Sequence, residues 1–195
     1  MPSRQIEHAK TPQKPTQAEL QAAYGKGVAD VITPGLKVLF CGINPGLYTA
    51  AIGHHFGRPG NRFWPALYAG GFTPRLLSPY EESQLLDWGW GITNLVNKAT
   101  ARADQLTQAD LLEGGRQLVD KVARYRPRCL AVLGISAYRS AFNQPKAVLG
   151  RQEVQLAGTD LWVLPNPSGL NAHYQVPELG VLFQELRQAA EALAP

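Results

Sequence analysis

The stretch Cys129–Leu133 reads CLAVL, apolar at every position. A strand with one wet face alternates apolar and polar side chains; a strand that is apolar throughout has to be covered on both faces. Val38–Phe40 (VLF) has the same character. Each run is also stopped abruptly, the first by Gly134, the second by Gly42-Ile43-Asn44-Pro45-Gly46. Doubly covered strands that alternate with helix-length segments predict an α/β fold. The expected form is a three-layer α/β/α sandwich with a central, mostly parallel sheet. In such sheets ligands sit beyond the carboxyl ends of the strands, which directs attention to the loops after Phe40, Val96, Leu133 and Leu164.

The remaining elements follow from local signals. Thr16-Gln17-Ala18-Glu19 is a capping box, predicting a helix that ends near Gly25. Helices are expected over Asn61–Ala69 and Tyr80–Trp88, and a short strand over Gly91–Val96. Thr107–Asp110 opens another helix, with Leu111, Leu118 and Val122 on one stripe and Pro127 as its stop. Glu153–Leu156 and Leu161–Leu164 read as a hairpin around Gly158-Thr159-Asp160. The last helix lines up Leu179, Leu182, Leu186 and Ala190. A chain of 195 residues fits one domain. Residues 1–15 read as a loose basic tail and residues 16–195 as the single domain.

Several function classes drop out. The two cysteines, Cys41 and Cys129, each sit in an apolar run and read as buried thiols rather than metal ligands. His54 and His55 are adjacent, which is not a helical ligand spacing, so neither a metal nor another cofactor is expected. No apolar run approaches a membrane span and the N-terminus has no apolar signal core. The expectation is a soluble, cytoplasmic monomer. Lys and Arg number 19 against 15 acids. Their distribution says more than the total: Val31–Tyr80 contains no carboxylate but holds Lys37, Arg58, Arg62 and Arg75, and Leu161–Pro177 carries no formal charge.

Those two stretches hold the motifs. Pro45 removes a backbone donor and pushes Asn44 out of the helical region, so Asn44 is presented in a fixed pose at a strand's end. It either caps the turn or serves a ligand. The loop VLPNPSGLNAHY, Val163–Tyr174, repeats the arrangement at Asn166-Pro167. Leu170 there either folds back on the core or stands out as an apolar wedge of the kind pushed between bases. Phe56, in HHFGRPGNRFW, is either core or a platform on which a base stacks. Gly134-Ile135-Ser136-Ala137-Tyr138 follows a strand like a nucleophile elbow, but Tyr138 stands where the strained turn wants glycine.

Taken together, Gly42–Gly46, Asn61-Arg62-Phe63-Trp64 and Asn166-Pro167-Ser168-Gly169-Leu170 resemble the signatures of the mismatch-specific uracil-DNA glycosylases, the bacterial branch of the thymine-DNA glycosylase family. The resemblance runs from about Lys37 to Leu186. It implies a glycosylase that flips uracil out of double-stranded DNA and hydrolyses its N-glycosidic bond. An abasic site is left for base excision repair, and mispairs with guanine are favoured. It implies that Asn44 holds the attacking water, that Ile43 meets the base through its backbone, that Phe56 stacks on it, and that Thr49 and Asn166 lie in the same pocket. Ser168, Gly169, Leu170 and Asn171 would fill the vacated place in the duplex. Asp87, near the strand GITNL, is the candidate accessory carboxylate, with a local cap as its other reading. Ala172-His173 departs from the family, whose members carry an arginine shortly after the wedge leucine. The rival readings are a lesion-binding module without catalysis and an α/β hydrolase using Ser136.

Overall fold

The computed structural model describes residues 14–193. The expected tail, apart from residues 14 and 15, lies outside the described residues. Helix α1 (Gln17–Ala22) begins as its capping box predicts: the Thr16 hydroxyl accepts from Glu19 N–H at 3.3 Å and the Glu19 carboxylate accepts from Thr16 N–H at 2.7 Å. Strand β1 (Val38–Gly42) is buried at every position. The short helix α2 (Leu47–Ile52) follows, with Gly46 as its extended N-cap. The Asn-Pro-Gly reading foresaw the break in the strand but not this helix. Pro45 ends the strand, and nothing in Leu47–Ile52 opposes helix.

Helix α3 (Phe63–Ala69) carries Pro65 in its first turn, where the missing N–H is no loss. It starts later than the expected Asn61: the Asn61 side chain accepts from Phe63 N–H at 2.9 Å and closes a turn just ahead of the helix, whose N-cap is Arg62. Pro79–Trp88 is helical but wound as a 3-10 helix. Its buried residues, Glu82 and Leu85, are three apart, the spacing that a 3-10 turn eclipses on one face. Strand β2 (Trp90–Asn94) follows, then α4 (Gln108–Tyr125), β3 (Cys129–Leu133) and α5 (Ile135–Ala141). Strands β4 (Gly150–Leu156) and β5 (Thr159–Leu164) form the hairpin, and α6 (Val176–Ala192) closes the described chain. The hairpin turns at Ala157-Gly158, both with positive φ (50° and 82°), so Thr159 and Asp160 belong to β5 rather than to the turn.

The sheet has five strands in the order β2-β1-β3-β5-β4. All neighbours are parallel except β4 against β5. Side chains of β1 alternate between two cores. Val38 and Phe40 join Phe63, Leu67, Phe183 and Leu186 of α3 and α6. Leu39 and Cys41 join Leu118 and Val122 of α4 and Tyr138 of α5. Helices therefore cover both faces, which is why β1 and β3 can be apolar throughout. On α6 the expected Leu179, Leu186 and Ala190 are fully buried, joined by Phe183, while Leu182 lies at the margin. On α4 the expected stripe is completed by Gly114, whose α-carbon lies so close to the Leu95 carbonyl that a Cβ would stand 2.4 Å from it. No described helix is long and apolar enough to cross a membrane.

Candidate active site at the carboxyl edge of the sheet

Because β2, β1, β3 and β5 are parallel, their carboxyl ends share one edge. The chain leaves β1 for β2 on one side and returns to β3 on the other, so a crevice opens beyond β1. A cavity of about 430 Å³ occupies it, lined by Ile43 and Asn44 after β1, Asn94 at the end of β2, Leu133 at the end of β3 and Asn166 after β5. The two Asn-Pro corners thus share one cavity.

Asn44 is held in a single orientation. Its Nδ2 donates to the Lys98 carbonyl at 2.9 Å and to Thr100 Oγ1 at 2.8 Å. A carbonyl only accepts, so the nitrogen must face Lys98. The Thr100 hydroxyl spends its own hydrogen on the Arg102 carbonyl at 2.8 Å and is therefore an acceptor toward Asn44. Both amide hydrogens are used, and Oδ1 has no partner among the described residues. The loop from Lys98 to Asp104 thus holds Asn44 and walls the cavity together.

Phe56 also lines the cavity, and its backbone takes the left-handed conformation (φ 52°). That conformation is uncommon outside glycine and persists only where neighbours hold it. The neighbours are explicit. His55 N–H donates to Glu82 Oε2 at 2.7 Å, the His55 carbonyl accepts from Trp64 Nε1 at 3.2 Å, and Thr49 Oγ1 accepts from Gly57 N–H at 3.2 Å. The Phe56 ring stacks on Phe63 at 3.9 Å between centroids. It is core on one side and cavity wall on the other, so both readings of this residue apply. Thr49 is buried, lines the cavity and anchors this loop.

His54 and His55 are committed elsewhere. His54 Nδ1 lies 2.9 Å from Glu82 Oε1. His55 Nε2 lies 2.9 Å from the Ala29 carbonyl and must carry the hydrogen there, which leaves Nδ1 as an acceptor for Asn94 Nδ2 at 3.4 Å. Burial pushes the His55 imidazole below its ordinary value, against the pull of Glu82, so the neutral ring is favoured. Asn94 is therefore steadied from beneath while its amide lines the cavity. Among the described residues no group of His, Cys, Asp or Glu is arranged to hold a metal ion.

The second corner is also built by short bonds. Asn166 Oδ1 accepts from Ser168 N–H at 3.0 Å, and the Asn166 carbonyl accepts from Asn171 Nδ2 at 3.0 Å. Leu170 stands at the tip with 73% of its surface exposed, so it does not fold back on the core. Ser168, Leu170 and Asn171 line the cavity, as do Arg58 and Arg102.

Two expectations are corrected by this geometry. Asp87 is exposed and precedes the first residue of β2. That places it at the amino edge of a parallel sheet, across the sheet from the cavity, of which it is not a lining residue. It cannot serve there as a carboxylate. Ser136 is exposed beside a shallow depression lined by Gln108, Arg139, Ser140, Asn143 and Pro145. No histidine or carboxylate among the described residues lines that depression, so the hydrolase reading has no base. Among the described residues the only carboxylate lining the main cavity is Asp104, exposed at the rim and paired with Arg102. Sequence reasoning passed over Asn94, Thr100, Glu82 and the guanidinium of Arg62. A polar Asn94 at the carboxyl end of a short strand that is buried throughout was the available signal for the first.

Comparison with known proteins bears on the family and the fold. The sequence model of the uracil DNA glycosylase superfamily matches residues 29–191. The fold is similar to the solution NMR structure of a candidate uracil DNA glycosylase from Methanosarcina acetivorans. The TM-score is 0.53 at 16% sequence identity, over 84% of this chain and 98% of that one.

Proposed function

The chain belongs to the uracil DNA glycosylase superfamily, and we propose that it is a monofunctional DNA glycosylase hydrolysing the N-glycosidic bond of uracil in double-stranded DNA. Mispairs with guanine are the favoured substrates, and the product is an abasic site that starts base excision repair. The protein works as an intracellular monomer without a cofactor. The observation that carries this reading is the pose of Asn44: both amide hydrogens are engaged by Lys98 and Thr100, and Oδ1 is left as an acceptor at the cavity.

The mechanism follows from the groups around the cavity. Uracil leaves the duplex and enters between Phe56 and the Asn44 side. Stacking on an aromatic ring contributes about 1–3 kcal/mol. Asn94 presents an amide oxygen to the N3–H of uracil and an N–H to its O4, a pairing that cytosine, with its donor and acceptor exchanged, does not satisfy. The C1′–N1 bond breaks with its electron pair going to uracil. The anion is stabilised by main-chain N–H groups such as that of Ile43, in the way that donors aimed at developing charge lower other barriers. A water whose hydrogen is accepted by Asn44 Oδ1 keeps its lone pair free and adds to the sugar cation at C1′; its proton passes to solvent. An amide orients water but takes no proton, so turnover is slower than with a carboxylate at this position. Asn166 sets the second corner and the entry of the loop that follows it.

Leu170, with Ser168, Gly169 and Asn171, enters the vacated place. Burying a leucine contributes about 1.5–3 kcal/mol, comparable to the few kcal/mol that unstacking and unpairing cost, which are least for a mismatch. Arg58 and Arg102 at the rim attract the phosphates on either side. A second reading, a lesion-binding module without catalysis, is favoured by one observation: among the described residues Asp104 is the only carboxylate at the cavity, and it is paired at the rim. A labelled duplex with one U opposite G, treated with the protein and then with alkali, separates the two. Strand cleavage supports the glycosylase; retention of the duplex without cleavage supports the binding module.

A further inference from the structure

Arg62 makes an unusual set of contacts. Its Nη1 reaches the carbonyls of Ser168 at 3.0 Å, Asn171 at 2.8 Å and Tyr174 at 3.2 Å, and its Nη2 lies 3.4 Å from the carbonyl of Gly169. Its backbone N–H donates to the Pro167 carbonyl at 2.9 Å. One residue thus engages five carbonyls across Pro167–Tyr174. Among the described residues no carboxylate pairs with the guanidinium, which is half-buried. A charge removed from water in this way is held only where hydrogen bonds replace hydration. Gly169 seals the same junction: a Cβ there would stand 2.6 Å from the Gly60 carbonyl, so the two loops touch backbone to backbone.

Left to itself, a loop that turns all these carbonyls inward would suffer from their mutual repulsion. The planar fork of an arginine gathers them, where the compact ammonium of a lysine would not span them. We infer that Arg62 is the positioning residue of the wedge: it holds the loop Pro167–Tyr174 in its inserting shape before DNA arrives, so that Leu170 is presented ready-made. This rests on the glycosylase reading. Arg62 does not line the cavity and acts only through the loop. Pre-organisation of this kind raises productive association by removing the cost of ordering the loop on binding.

Two measurements on the full-length protein test it, one of them independent of activity. The first is amide hydrogen exchange. Ser168, Leu170, Asn171 and His173 N–H groups are bonded within the loop, to Asn166 Oδ1, Ser168 Oγ, the Ser168 carbonyl and Asn171 Oδ1 respectively. Arg62→Gln is expected to speed their exchange about tenfold or more while core amides of β1 and β3 keep their protection. Unchanged loop protection would overturn the inference, as would equal deprotection of the core. The second is single-turnover uracil release from a U·G duplex and from single-stranded DNA. Arg62→Gln and Arg62→Lys are expected to lose about tenfold more on the duplex than on the single strand. Combined with Leu170→Ala, Arg62→Gln should add little to the duplex loss of Leu170→Ala alone. Equal losses on both substrates, multiplicative losses in the double variant, or full rescue by lysine would overturn it. A wild-type protein that releases uracil from neither substrate would instead reject the glycosylase reading, while the exchange result still decides what holds the loop.

Discussion

Asn44 Nδ2 lies 2.8 Å from Thr100 Oγ1, and Thr100 passes its own hydrogen on to the Arg102 carbonyl at 2.8 Å. This short chain, together with the Lys98 carbonyl 2.9 Å from the same nitrogen, fixes which end of the Asn44 amide faces the cavity. Removing the hydroxyl leaves one amide hydrogen unpaired and the side chain held by the Lys98 carbonyl alone. A net hydrogen bond is worth roughly 1 kcal/mol, and a buried donor left unpaired costs roughly 1–3 kcal/mol. Thr100→Val is therefore expected to slow single-turnover uracil release by about tenfold or more, with little change in DNA affinity. Thr100→Ser, which keeps the hydroxyl, should stay close to wild type. Equal loss in both variants would remove the orienting role.

Leu170 is an exposed apolar side chain at the tip of a loop tied down at its base. Leu170→Ala is expected to reduce release from a U·G duplex several-fold more than release from single-stranded DNA, where no stack has to be opened. Its folding stability should not change by more than about 0.5 kcal/mol, since the side chain supports no core. A uniform loss on both substrates would argue against a wedge. Binding to duplex should also weaken steeply between low and moderate salt; affinity independent of salt would argue against phosphate contacts from the arginine-bearing rim.

Asp87 lies before β2, across the sheet from the cavity. Asp87→Asn is expected to leave the rate of uracil release within about twofold of wild type, as surface substitutions away from special features usually do. A loss of a hundredfold or more would mean that a carboxylate reaches the sugar by a route this geometry does not provide.

What the sequence made legible, and what it did not, has a physical basis. The apolar runs at Val38 and Cys129 disclosed doubly covered strands, and with them the layer architecture, because burial on both faces leaves no alternation. The Asn-Pro corners were legible because proline restricts its neighbour locally. Contacts made across the fold were not. Arg62 meets the Asn171 carbonyl from 109 positions away, and Asn44 meets Thr100 from 56. Composition and spacing carry no trace of such pairings. Asp87 was misplaced for a related reason: nearness to GITNL in the chain does not say which end of the strand the residue sits on, and the parallel register of β2 with β1 puts it at the amino end. The 3-10 winding of Pro79–Trp88 was hidden because a helical pattern this short reads alike for both helix types.

His55 offers a test through pH. Burial keeps its imidazole below the ordinary value, so the folded state disfavours the protonated form. The stability that the neutral ring contributes is fully present above the unfolded value of about 6.5 and is lost as the pH falls through the folded value. The melting temperature is expected to decline on acidification below about pH 6.5, and His55→Gln should flatten that decline. Glu81, held down to about 2 chiefly by the Arg75 guanidinium beside it, acts at far lower pH. Protonation of the folded His55 also removes the acceptor for Asn94 Nδ2, so uracil release should fall as well, beginning at a lower pH than the decline in melting temperature because the folded ring holds out against protonation. A wild-type melting temperature that is constant to pH 5, or an identical decline in His55→Gln, would show that the ring is not held neutral.

The most direct measurement is mass-spectrometric detection of free uracil after incubation with a duplex carrying one U opposite G, for the wild type and for Asn44→Ala in parallel with their binding to the same duplex. The wild type is expected to release stoichiometric uracil. Asn44→Ala is expected to release it at least a hundredfold more slowly while binding the duplex with similar affinity, because the wedge loop and the rim arginines are untouched while the water's acceptor is lost together with the donors to Lys98 and Thr100. No uracil from the wild type, or undiminished release from Asn44→Ala, would contradict the assignment of this cavity as a glycosylase site built around Asn44.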